Sequence, residues 1–186
     1  MKNKQLRALT ESAIFTAMAL ALSYLEIPIG ISFGGFGGSL SLVMIPLVLC
    51  AIRWGTLWGL GAGLVFGTLK YFFSSGWALN VASMLLDYGL AYMMLGLAGV
   101  LCRKSPVAWL AALIGCLGRF AIHFISGVTI YAEYVSPIFG WDGSSSAIYS
   151  VLYNGSYMLP NTILTVVAIV LLQKPLARYL RADDLR

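Results

Sequence analysis

The sequence predicts an all-α integral membrane protein of six transmembrane helices with both termini cytoplasmic, and three observations carry that prediction. The composition is too apolar for a soluble domain: 60% of residues are hydrophobic, 10% are charged and the mean hydropathy is +0.86, whereas soluble domains are roughly one-quarter charged. Charges and turn residues cut the apolar sequence into six stretches. Ten of the twelve Lys and Arg residues fall on one side of the resulting topology. At ~20 residues per span, six spans use about two-thirds of the chain, so residues 1–186 read as a single transmembrane domain.

Each element is bounded by charge, glycine or proline. The first helix covers residues 6–27 and is stopped by Glu26, Pro28 and Gly30. Residues 30–41 hold five glycines with Phe33 and Phe36, a stretch too free in backbone for a helix, and read as a loop. The second helix spans residues 40–52 and ends at Arg53; the third spans 56–73. The fourth covers 78–102 and contains Asp87. The fifth runs from Pro106, suited to a first helical turn, to Tyr131, and carries Arg119 and His123. Residues 132–146, with Glu133, Pro137, Asp142 and a Gly-Ser-rich stretch, form a second loop. A last helix covers 147–173 and ends at Lys174 and Pro175.

Orientation follows from the basic residues. Lys2, Lys4, Arg7, Arg53, Arg103, Lys104, Lys174, Arg178, Arg181 and Arg186 share the N-terminal side, which the positive-inside bias makes cytoplasmic. The other side receives Glu26, Glu133 and Asp142 with Lys70 as basic neighbour. The net charge of +5 therefore reports topology. No dense basic run with interleaved aromatics lies outside the apolar stretches, which excludes a nucleic-acid partner. Lys2, Lys4 and Arg7 ahead of an apolar run containing Ala19 and Ala21 resemble a secretory signal, but the succession of further spans favours an uncleaved first helix. Cys50, Cys102 and Cys116 lack the paired spacings of metal or redox sites and read as small core residues.

Small residues mark close helix contacts. Gly55, Gly59, Gly63 and Gly67 recur every fourth residue on the third helix, overlapping GxxxG steps that let another backbone approach as internal glue. Ala13, Ala17 and Ala21 repeat the spacing on the first helix. Internal packing and a flat docking face for a partner both fit that alanine stripe.

Ionisable residues inside spans are costly and mark function or pairing. Deep inside their spans lie three: Asp87, Arg119 and His123. At 1.5 Å per residue, Asp87 lies roughly 13 Å below the outer start of its helix, while Arg119 and His123 lie roughly 20 and 25 Å above the cytoplasmic start of theirs. All three occupy the outer half of the membrane. Tyr149, Tyr153, Asn154 and Tyr157 on the last helix reach the same level; Tyr88 adjoins Asp87, and Asn80 and Trp77 stand one to three turns outward. Arg119, His123 and Gly127 step by four along one stripe, continued by Tyr131, with Gly127 opening space against the backbone. One carboxylate, one imidazole, one amide and several aromatics suit a small, flat, polar or cationic heterocycle. Asp87 could equally neutralise Arg119 as a structural pair, and His123 could be a packing residue. The tyrosines are also expected as interfacial anchors.

Catalysis is not supported, and no catalytic residue is assigned. A single His with one intramembrane Asp supplies neither a Ser-His nor a paired-Asp protease, nor an HExxH pair. No metal set is present, and the GxxxG steps sit inside an apolar span and form no phosphate loop. Such a protein binds no cofactor and cannot hydrolyse ATP.

The segments LTESAIFTAMALALS, IPLVLCAIRWG, LLDYGLAYMMLGLAG, RFAIHFISGVTIYAEY and AIYSVLYNG, in that order, resemble those of the thiamine-specific substrate-binding (S) components of energy-coupling-factor (ECF) vitamin transporters, over nearly the whole chain. The resemblance implies an ECF S-component-like bundle, multi-pass in the plasma membrane of a prokaryote. It would bind thiamine from outside with high affinity and associate with a transmembrane coupling subunit and two cytoplasmic ATPases. It implies that Asp87 and Tyr88, His123 and Gly127, Tyr131, Tyr149 and Asn154 contact the ligand, with Trp77 as a further aromatic. It also implies that the face of Ala13, Ala17 and Ala21 docks on the coupling subunit. The sequence departs from the family in having Asp87 for the usual Glu, Tyr131 for the usual Trp, and only Phe33 and Phe36 where the first loop of the family brings a tryptophan over the ligand. A thiamine precursor such as a hydroxymethylpyrimidine is the alternative ligand. A stand-alone proton-coupled carrier and a ligand-free structural subunit are the rival classes.

Overall fold

Alanine, leucine and other strong helix formers, uninterrupted by glycine or proline, build α1 from Lys2 to Leu22 in the computed structural model, which describes residues 2–29, 38–74, 77–135, 137, 139 and 142–185. The helix begins earlier than apolarity predicts, because Lys and Gln sustain a helix as well as Leu does. It ends in a tight turn at Ser23–Leu25. Pro28 then disfavours helical backbone before it, and residues expected to close one helix and open the next form a short ladder instead. β1 (Ile27–Pro28) pairs antiparallel with β2 (Ser39–Leu40), Ile27 facing Leu40. The loop between them, including Phe33 and Phe36, lies outside the described residues.

Next come α2 (Met44–Trp54), starting four residues later than expected, and α3 (Thr56–Phe73), at the expected bounds. A continuous helical stretch, α4, runs over Val81–Leu101. It is not uniformly α: its first turn is capped by reciprocal bonds between Asn80 and Ser83, Leu85–Leu90 widens into a π turn, and Met94–Leu101 tightens into 3-10 geometry. α5 (Ala108–Thr129) and α6 (Ser146–Gln173) follow, then a short α7 (Ala177–Leu180) and a 3-10 turn at Asp183–Leu185. Among the described residues α1, α4, α5 and α6 are long and apolar enough to cross a membrane. α2, with 11 residues, spans only about 16 Å and is buried along nearly its whole length in the core with Leu47, Val48 and Ile52.

The glycine stripe on α3 is internal glue. A Cβ on Gly59 would meet the Gly96 backbone at 2.9 Å, one on Gly63 the Met93 backbone at 2.9 Å and one on Gly67 the Gly89 nitrogen at 3.4 Å, while Gly96 and Gly99 of α4 return the contact on α3. The seam sets the height of Tyr88 and Tyr92 beside α3. By contrast Ala13, Ala17 and Ala21 on α1 are exposed.

At one end of the bundle the fully buried Arg53 ties three segments together. Its guanidinium donates to Glu11 Oε2 at 3.2 Å and to both Asp184 oxygens at 2.7 and 2.9 Å, bonds the Tyr179 carbonyl, and lies 4.1 Å from the Tyr179 ring centroid. Trp54 and Tyr179 also donate to Glu11, at 3.0 and 2.6 Å. The C-terminal segment is thereby hooked onto α1 and α2. The opposite end carries the β1–β2 ladder, where Asn161 of α6 donates to the Ser39 carbonyl at 2.7 Å and accepts from the Ser41 amide at 2.9 Å.

Candidate ligand-binding site

The helix ends beside the β1–β2 ladder enclose a cavity of about 300 Å³. Its walls include all eight residues singled out from the sequence: Trp77, Asp87, Tyr88, His123, Gly127, Tyr131, Tyr149 and Asn154. The π turn of α4 carries Asp87. Its Oδ1 lies 3.1 Å from His123 Nδ1 and its Oδ2 accepts from Ser126 Oγ at 3.0 Å, both partners on α5. An ionised carboxylate only accepts hydrogen bonds, so with Asp87 ionised the His123 ring donates through Nδ1. Asp87 is thus held by His123 and Ser126, and the Asp87–Arg119 pair that similar depth allowed does not form. Arg119 lies 4.1 Å from the Tyr92 ring centroid, and its Nε, like His123 Nε2, is buried without a hydrogen-bond partner among the described residues.

Tyr88 closes the site toward Trp77: its hydroxyl accepts from the Trp77 amide at 2.9 Å and donates to the Trp77 carbonyl at 3.1 Å. Tyr131, just past α5, reaches the side chains of Ser83 and Asp87. On α6, Tyr149 and Tyr153 stack with planes 3° apart and centroids at 5.8 Å, and Tyr157 stands edge-on to Tyr153 and to His123. Asn154 is largely committed within the protein. It donates to the His123 carbonyl at 3.2 Å and to Ser150 Oγ at 3.1 Å, and it accepts from Tyr157 at 2.7 Å. One acceptor lone pair on its Oδ1 remains.

Gly127 lines the cavity, but the space its missing side chain leaves is not vacant, because a Cβ there would collide with Ser150 of α6. The expected opening for a ligand is used to bring α5 and α6 together, and this close approach lets Asn154 reach across. Asn80 likewise serves as the α4 cap.

Sequence reasoning did not single out Ser126, although it follows His123 by three residues and so shares its helix face. It also missed Ser150, Tyr92 and the ion pair at the rim. There Lys70 bonds Glu26, which also accepts from Ser39 at 2.6 Å, so β2 is tied to both α3 and the end of α1. Gly38 beside it adopts φ +108, a conformation that favours glycine, and its place against the Tyr157 ring leaves no room for a side chain. Only the tertiary pairing of β1 with β2 brings these groups to the mouth.

Four helices able to cross a membrane and a polar-aromatic cavity at a bundle end, among the described residues, define a helical membrane protein with a small-molecule site. The chain superposes on ThiT from Listeria monocytogenes with a TM-score of 0.81 at 28% identity, covering 95% of this chain and 98% of that one. It also shares the fold of the S component for biotin from an ECF-type ABC transporter, with a TM-score of 0.56 at 23% identity and 94% coverage of each. In sequence it is 32% identical to the thiamine transporter ThiT of Bacillus subtilis, over 98% of both chains, and 29% identical to that of Lacticaseibacillus paracasei, over 90% of this chain and 87% of the other. With residues 9–181 matching the family described as thiamine transporter protein (Thia_YuaJ), the chain belongs to that family.

Proposed function

We propose that this chain is the high-affinity thiamine-binding S component of an ECF importer, a single substrate-binding domain in the plasma membrane. In this reading six helices cross the membrane, both termini are cytoplasmic, and the cavity opens outward. The observation that carries it is the Asp87 carboxylate, fixed by His123 and Ser126 in a cavity walled by tyrosines. The thiazolium charge faces Asp87 and the aromatic rings, with Tyr88 and Trp77 at one side. The pyrimidine stacks on Tyr131 near Tyr149, and its amino group donates to the free lone pair of Asn154. Gly127 contributes by letting Asn154 approach. The chain has no ATPase role of its own. The exposed Ala13, Ala17 and Ala21 form the face on which the transmembrane coupling subunit docks, and two cytoplasmic ATPases supply the energy.

A second reading is favoured by the charges lining the cavity. Asp87 and Glu26 are matched by Lys70 and Arg119, a balance that also suits a neutral pyrimidine precursor. Tryptophan-fluorescence titration of the purified protein with thiamine and with its pyrimidine half separates the two. The thiamine reading predicts that Asp87→Asn weakens thiamine by about 1 to 3 kcal/mol, the range for a charged hydrogen bond, and barely alters the neutral half. Unchanged thiamine affinity would remove Asp87 from the site.

A further inference from the structure

We infer that the N-terminal end of the bundle holds a second, separate site for a phosphate-bearing anion, occupied in the membrane by the headgroup of an anionic phospholipid. The inference requires membrane insertion but not the thiamine reading. A pocket of about 250 Å³ lies there, walled by Lys4 of α1, Trp54 and Trp58 at the α2–α3 junction, Arg103 after α4, and Arg181 with Ala182 in the C-terminal segment. Among the described residues no carboxylate lines it. The nearby acids are already engaged: Glu11 by Arg7, Arg53, Trp54 and Tyr179, and Asp184 by Arg7 and Arg53. Asp183 takes Arg181 at 3.0 and 3.1 Å. Lys4 and Arg103 have no ion-pair partner among the described residues. Among the described residues, two cations without counterions therefore line one concavity, beside the paired Arg181.

The walls are held in place from below. Arg103 and Ala182 both adopt left-handed backbone, at φ 63 and 58, uncommon for residues with a side chain. The Arg103 amide donates to the Ile52 carbonyl and the Ala182 amide to the Tyr179 carbonyl, each at 2.9 Å. The Arg53–Asp184 hook fixes Ala182 opposite α1 and α2. Next in sequence to the lining residues Gln5, Ala8 and Trp58, the leucines Leu6, Leu9 and Leu57 are exposed by 64, 58 and 82%. Two tryptophans at this level match the interfacial aromatic belt, and basic pockets between helices at such a level bind anionic headgroups. A soluble phosphate would use the cations alone, whereas exposed leucines beside them also suit acyl chains, which favours the lipid.

Native mass spectrometry of the purified full chain with phosphatidylglycerol or phosphatidylcholine tests this. Phosphatidylglycerol should be retained preferentially. Its retention should fall by about thirtyfold in a Lys4→Gln/Arg103→Gln variant, at about 1 kcal/mol per cation, and be restored in Lys4→Arg/Arg103→Lys. Equal retention of the two lipids, or full retention of phosphatidylglycerol by the neutral variant, overturns the site. If the neutral variant loses helicity by circular dichroism, the wild-type lipid preference and the charge-keeping variant decide. Displacement of phosphatidylglycerol by millimolar inorganic phosphate overturns the lipid assignment in favour of a soluble phosphate.

Discussion

Asp87 of α4 and His123 of α5 meet across the helix interface with Oδ1 and Nδ1 3.1 Å apart, while Ser126, one turn along α5, donates to the other carboxylate oxygen at 3.0 Å. The two α5 residues fix the carboxylate's direction, so the acid group is oriented before any ligand arrives. Removing a donor should therefore act through Asp87. Ser126→Ala is expected to weaken thiamine about fivefold, near 1 kcal/mol for one hydrogen bond, and to lose most of that effect in the Asp87→Asn background. Isothermal titration of the two single variants and the double variant measures the coupling.

The α3–α4 seam makes a contrast between two neighbouring glycines. Gly67→Ala forces a methyl into the backbone of α4 at Tyr88, whereas Gly61 has nothing within 4 Å. Overpacking of this kind costs about 1 to 3 kcal/mol, so Gly67→Ala should lower the melting temperature and perturb the Tyr88–Trp77 contact. Gly61→Ala should be neutral or slightly stabilising. Equal melting temperatures for the two variants would contradict the seam.

Asn161, almost fully buried, holds β2 through two bonds to its backbone. Asn161→Ala leaves the Ser41 amide and the Ser39 carbonyl unsatisfied, at about 1 to 3 kcal/mol for each buried group. Hydrogen exchange at Ser41 should accelerate more than exchange in the α5 interior, which keeps its helical bonds.

The C-terminal hook should be sensitive to acid. The Arg53 guanidinium bonded to Asp184 lowers its carboxyl from 3.8 to about 2. A folded-state value below the unfolded one contributes stability above the unfolded value. That contribution is lost as the pH falls from about 3.8 through about 2. Hydrogen exchange over the C-terminal segment should accelerate across that window in the wild type. In Asp184→Asn exchange should be fast throughout.

For partner docking, Ala13→Trp or Ala17→Trp is expected to abolish thiamine uptake in cells supplying the coupling subunit and ATPases, while the purified variants still bind thiamine. Persisting uptake would place the docking face elsewhere.

Much of the fold was legible from the residues alone. Hydropathy and glycine spacing are one-dimensional signals, and they located α3 at its bounds, the other long helices to within a few residues, and a polar layer; the family resemblance picked out of that layer the eight candidate residues, all of which line one cavity. What they could not contain was the rotation and height of one helix against another. Helical spacing says that Arg119, His123 and Gly127 share a stripe; it does not say which of them meets Asp87. That is decided by the glycine seam that seats α4 on α3 and by the close approach of α5 to α6 at Gly127, where Ser150 fills the gap and Asn154 spans it. The β1–β2 ladder with its Glu26–Lys70 rim and the Arg53–Asp184 hook join residues far apart in sequence. Such contacts exist only once the helices have packed, because a hydrogen bond needs its two groups at bonding distance, and only the packed bundle supplies that.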